Sequence, residues 1–148
     1  MTDGPRLRVA HLVVDVTDLD RAAVFWSSLL GLEVTGREAG YLDLGSLGAG
    51  GPVLSFQLVP EPKAVKNRVH LDLAVDAGTG GVVAAGYRAH ALGATPVSEL
   101  RSAESAPWQV WRDPDGNEFC LVTEAAADTN DPSPGSRGVG DAGSAGTR

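Results

Sequence analysis

Two histidines hold matching places in this sequence. His11 opens the run HLVVDV, His70 opens HLDLAV, and a carboxylate, Glu118, opens EFCLV further on. As strands, whose side chains alternate between faces, these runs divide cleanly. His11 shares a face with Val13 and Asp15, opposite Leu12, Val14 and Val16. His70 shares one with Arg68, Asp72 and Ala74, opposite Leu71, Leu73 and Val75. Glu118 shares one with Cys120 and Val122, opposite Phe119 and Leu121. In PVLSFQLV, Ser55 and Gln57 oppose Leu54, Phe56 and Leu58. Every strand thus has one large apolar face suited to a covering helix, and one mixed face. Should the mixed faces converge, two imidazoles and a carboxylate make a set that holds a divalent ion and leaves coordination positions open. Open positions suit a Lewis-acid or oxygen-activating centre.

The elements that must position these groups form two copies of one pattern. After the strand at His11–Val16 comes TDLDRAAVFWSSLLG. Thr17 or Asp18 caps the helix and Gly31 stops it. Ala22, Trp26, Leu29 and Leu30 make its apolar stripe, with Phe25 at the edge. The runs LEVTG, YLDL and PVLSFQLV follow as strands. The second copy begins at Val69 and continues through VVAAGYRAHALG, with Gly93 as the stop, to TPVSEL, PWQVW and NEFCLV. Each half reads strand, helix, three strands. Aligning LSFQLV with NEFCLV makes Ser55 the counterpart of Glu118. Just before Glu118, DPDGN is a turn signature that fixes the register of the last strand. EPKAVKN is a polar linker between the halves.

The expected fold is therefore α+β: two βαβββ modules, at about residues 7–60 and 68–124, forming a curved, cup-shaped mixed sheet with helices outside. Residues 125–148 contain Val139 as their only sizeable apolar side chain and are expected to be a disordered tail. Ser55, Gln57, Asp72, Arg68, Trp108 and Cys120 are candidates to line a substrate pocket. Trp108 and Trp111 fall on opposite faces of one strand, and His90 reads as solvent-facing on the second helix.

Bulk properties narrow the partners. The 148 residues carry a net charge of -7, which disfavours nucleic acid and anionic membranes. A local basic group can still override that sign for a small ligand. No apolar stretch reaches about 18 residues, so no membrane span is expected. The start lacks a secretion pattern, which gives a cytoplasmic expectation. One cysteine excludes an internal disulfide and a cysteine-built zinc site.

Taken in order, HLVVDVTDLDRAAVFWSSLLGLEV, KNRVHLDLAVD and RDPDGNEFCLV resemble the vicinal oxygen chelate superfamily, and within it the glyoxalase-like domain branch. The superfamily includes glyoxalase I, fosfomycin-resistance thiol transferases, extradiol dioxygenases and bleomycin-resistance proteins. The resemblance covers about residues 8–123. It implies paired βαβββ modules around a cup, and a divalent metal (Mn, Fe, Co, Ni or Zn) on His11, His70 and Glu118. Glyoxalase I-like members carry a carboxylate, often also the catalytic base, where this chain has Ser55, so true glyoxalase I activity is not expected. Three-ligand members fit better. The implied function is a metal-dependent enzyme acting on a small oxygenated molecule by lyase, isomerase, dioxygenase or thiol-transfer chemistry. The catalytic base stays open between Asp15, Asp72, a metal-bound water and the substrate. The alternative is a metal-free protein that binds a small molecule or antibiotic. A homodimer is implied in either case.

Overall fold

The computed structural model describes residues 4–76, 80–102 and 106–123; the expected tail at 125–148 lies outside them. The first module comprises β1 (His11–Val16), α1 (Leu19–Leu30), β2 (Val34–Glu38), β3 (Tyr41–Ser46) and β4 (Val53–Leu58). The second comprises β5 (Leu71–Val75), α2 (Gly81–Ala91), β6 (Thr95–Pro96), β7 (Trp108–Arg112) and β8 (Glu118–Thr123). Each module makes its own four-stranded mixed sheet, ordered β1-β4-β3-β2 and β5-β8-β7-β6. The first strand of each lies parallel to the last, and the remaining pairs are antiparallel. The α+β class and the two βαβββ modules are as the sequence implied. The sheets are two open ladders, and among the described residues no ladder joins β1 to β5.

Local chemistry explains the helix ends. Asp18 caps α1 by accepting from the Arg21 N–H at 2.9 Å, and Gly31 ends it at φ 69. Phe25 is not at the edge of the stripe but fully buried. The reason is that α1 faces both modules at once. Phe25 packs on Trp26 at 5.3 Å and on Phe119 of β8 at 5.9 Å, while Trp26 packs on Phe119 at 5.4 Å and on Phe56 of β4 at 6.4 Å. Aromatic burial of this kind contributes about 1.5–3 kcal/mol per side chain, here shared between modules. α2 covers the second sheet by its small face. Gly86 lies so close to Trp111 that a Cβ there would stand 2.8 Å from the ring.

Some boundaries differ from expectation. β5 starts at Leu71 rather than Val69, so His70 stands just ahead of the strand. β2 is shifted to Val34–Glu38. Of TPVSEL only Thr95–Pro96 forms a strand. Pro96 has no N–H with which to extend the ladder, and the next two amides, of Val97 and Ser98, both donate to the carbonyl of Val110.

Candidate functional site

The mixed and apolar faces of the strands fall as alternation requires. In the first sheet His11, Val13 and Asp15 lie beside Val53, Ser55 and Gln57, then Asp43 and Tyr41. In the second, Asp72 pairs with Cys120, Cys120 with Val110, and Glu118 with Arg112. The opposite faces carry the buried Leu42, Leu54, Phe56, Phe119 and Leu121.

The registers do not follow the sequence alignment. His11 pairs with Val53, and Ser55 with Val13. Leu71 pairs with Phe119, so one step back sets His70 beside Glu118. By register the counterpart of Glu118 is Val53, and Ser55 answers to Cys120. Ser55 still meets His11: its Oγ lies 3.0 Å from His11 Nδ1 and donates to Asp43 Oδ1 at 2.5 Å, with His11 Nδ1 3.6 Å from that same oxygen. Ser55 is completely buried, while the His11 side chain is 44% exposed. Asp43 was missed from sequence, although its place between Leu42 and Leu44 puts it on the mixed face.

Glu118 sits in different company. Lys66 Nζ donates to its Oε2 at 2.7 Å, and Arg112 Nη2 lies 3.5 Å from Oε1. The hydrogen bond from Lys66 holds this carboxyl below the usual glutamate range. Burial opposes it, while the charges of Lys66 and Lys63 and then hydrogen bonding from Arg112 assist it. Glu118 is buried, and its donors nevertheless prevail over desolvation. In sequence Lys66 belongs to a polar linker, and only the path of the chain aims it at Glu118.

The remaining candidates scatter. His70 Nε2 stands 3.2 Å from Asp72 Oδ1, both well exposed. A cavity of about 510 Å³ beneath the linker brings together Arg68, His70 and Glu118 with Asp15, Lys63 and Lys66, against Trp26 and the edge of β1. Gln57 is exposed on the first sheet. Trp108 is half-buried with the Arg101 guanidinium 5.5 Å from its ring centre, and Trp111 on the opposite face is buried under α2. Cys120 is buried; burial raises its thiol pKa and the Asp72 charge adds to this, so it is a weak nucleophile. His90 is exposed, as expected.

Whether these residues fit a divalent ion can be judged from their donors. Among the described residues no group of three or more His, Cys, Asp or Glu side chains is placed to hold one. Both Glu118 oxygens face cations, and His11 belongs to the other sheet with Ser55 and Asp43. Within one chain the arrangement does not fit a metal.

Comparison with known proteins agrees with the fold. The glyoxalase-like domain family matches residues 11–122. A glyoxalase-related enzyme from Fulvimarina pelagi superposes with a TM-score of 0.66 at 19% identity, covering 79% of this chain and 88% of that one. A glyoxalase/bleomycin resistance protein/dioxygenase family enzyme from Burkholderia phytofirmans PsJN gives 0.63 at 18% identity, over 77% and 96%. A point mutant of the fosfomycin resistance protein FosX from Listeria monocytogenes, complexed with Mn(II) and 1S,2S-dihydroxypropylphosphonic acid, gives 0.64 at 16% identity, over 82% and 90%. No curated protein matches the sequence. Among the described residues no helix is long and apolar enough to cross a membrane. With most of its length matched and its modules arranged in this way, the chain belongs to the glyoxalase-like domain family of the vicinal oxygen chelate superfamily.

Proposed function

We propose that this protein binds a small oxygenated molecule in the cavity roofed by the 61–70 linker, and that the single chain does so without a metal. The observation that carries this reading is the engagement of Glu118 by Lys66 at 2.7 Å and Arg112 at 3.5 Å. A carboxylate neutralised in this way has little left for a cation. The cavity otherwise has the composition of a ligand site. Leu12, Val14, Trp26 and Leu71 supply apolar wall, and Asp15, Arg68, His70 and Asn117 supply polar contacts.

The test is elemental analysis of protein purified without a histidine tag, followed by calorimetric titration with Mn(II) and Zn(II). Metal-poor protein with no saturable uptake is the expected result. A thermal-shift screen of small diols, hydroxy acids and carbonyl compounds should then yield stabilising ligands. A hundredfold excess over Kd stabilises by about 2.7 kcal/mol.

One observation favours a second reading, the metal-dependent lyase, isomerase, dioxygenase or thiol-transfer enzyme. His70 and Glu118 line one cavity and are neighbours by register, while His11 is exposed on the other sheet. A second copy that delivered its own His11 would complete the three-donor set, and the ion would then offer open positions to adjacent substrate oxygens. Near-stoichiometric metal that is lost in His11→Ala and in Glu118→Ala, in a protein that is dimeric in solution, decides for this reading.

A further inference from the structure

Glu118 is one carboxylate among three cations. A second cavity, of about 540 Å³, lies on the other side of the linker, between Lys63–Lys66 and the mixed face of β7 and β8. Lys63, Lys66, Arg112 and Glu118 line it, and Glu118 is the only acidic residue among the described ones that do. The chain as a whole carries -7, so this local excess of positive charge runs against the molecule.

The donor count points the same way. Lys66 offers three N–H groups and directs one to Glu118 Oε2. Lys63 directs one to the carbonyl of Val65 at 2.6 Å. Arg112 offers five in a planar fork, and its contact with Glu118 is long. Among the described residues Lys63, Lys66 and Arg112 meet only the Val65 carbonyl and the Glu118 carboxylate, so most of their donors are left for another acceptor. A cationic occupant would be repelled. A neutral polyol would leave the charge uncompensated. An oxyanion supplies both the acceptors and the charge, and the arginine fork suits its paired oxygens.

We propose that this second cavity binds a small organic oxyanion, a carboxylate or a phosphate ester, gripped by Lys63 and Arg112 while Lys66 bridges it to Glu118. The proposal rests on the reading that the linker region receives small molecules, and it adds a second site on the other side of the linker with a stated charge preference.

The experiment is an NMR titration of the ¹⁵N-labelled full chain at constant low ionic strength. The probes are inorganic phosphate, malonate, 1,2-propanediol and tetramethylammonium. Saturable shifts at Lys63–Lys66, Arg112 and Gly116 with phosphate or malonate are expected, and the stronger of the two identifies the type of oxyanion. Lys63→Ala and Arg112→Ala should each weaken binding about tenfold or more, and added salt should weaken it further because the site is partly exposed. Arg112→Lys keeps the charge and should retain part of the affinity. Oxyanion shifts that ignore both alanine variants overturn the proposal, as does silence from both oxyanions. If the diol alone shifts residues around His70 and Arg68, the oxyanion site is refuted while small-molecule binding under the linker stands.

Discussion

The indole of Trp26, on α1, donates its Nε1–H to Asp113 Oδ2 at 3.0 Å across the boundary between the modules. Both side chains are buried. The other oxygen of Asp113 accepts the amides of Asp115 and Asn117, at 2.9 and 2.8 Å, which sets the turn before β8. Asp115 in turn accepts from the Thr17 amide at 3.1 Å and hydroxyl at 2.7 Å. The turn that delivers Glu118 is thus also the clasp on the start of α1.

Removing the indole donor by Trp26→Phe should therefore destabilise the whole chain by about 1–3 kcal/mol, the cost of an unsatisfied buried acceptor. Burial already raises the Asp113 pKa, against the lowering effect of its hydrogen bonds, that from Trp26 foremost. A carboxyl raised above its unfolded value contributes stability that is full below the unfolded pKa and is lost as pH rises through the folded one. Trp26→Phe lifts the folded value further, so its penalty should grow as pH rises above the ordinary aspartate range. Urea denaturation at pH 4 and pH 7 checks this; equal penalties at both would show that Asp113 does not feel the indole.

Lys66 and Glu118 give the opposite sign. The Glu118 pKa is lowered, chiefly by the Lys66 hydrogen bond. Its contribution is present above the unfolded glutamate pKa and disappears as pH falls through the depressed folded value. Lys66→Ala should cost about 1 kcal/mol near neutrality, discounted because the lysine is 73% exposed. The gap from wild type should close in acid. Denaturation curves of both proteins across that range measure it, and a gap that stays constant would mean that Lys66 acts through packing alone.

The faces of the strands were legible because alternation fixes them locally: Leu42, Leu54 and Phe119 could only point one way once the strands were placed. Register was not legible. It depends on which residues of two distant segments meet, and the two-residue offset between His11–Val53 and His70–Glu118 leaves no trace in either segment alone. DPDGN was readable as a turn, but not its reach to Thr17, because no local pattern encodes how two modules pack. Whether His11, His70 and Glu118 meet was not legible for the same reason, since it requires a relation between two separate sheets; among the described residues no three such groups are placed around one point. Lys66 needed the three-dimensional path of the linker.

His11, Ser55 and Asp43 allow one more deduction. The Ser55 hydroxyl proton is committed to Asp43 at 2.5 Å, so the same oxygen can only accept at its 3.0 Å contact with His11 Nδ1. The neutral His11 ring must then carry its proton on Nδ1. Its Nε2 lone pair is left free to accept from a ligand or to coordinate an ion from a second copy. Nitrogen-15 ring spectra in the alkaline range should show the Nδ1–H tautomer in the wild type. In Ser55→Ala, His11 loses its acceptor at Oγ and the common Nε2–H form should gain population, at a cost of about 1 kcal/mol in stability. Identical ring spectra in the two proteins would mean that Ser55 and Asp43 do not set the ring, and that His11 stands on the sheet without direction.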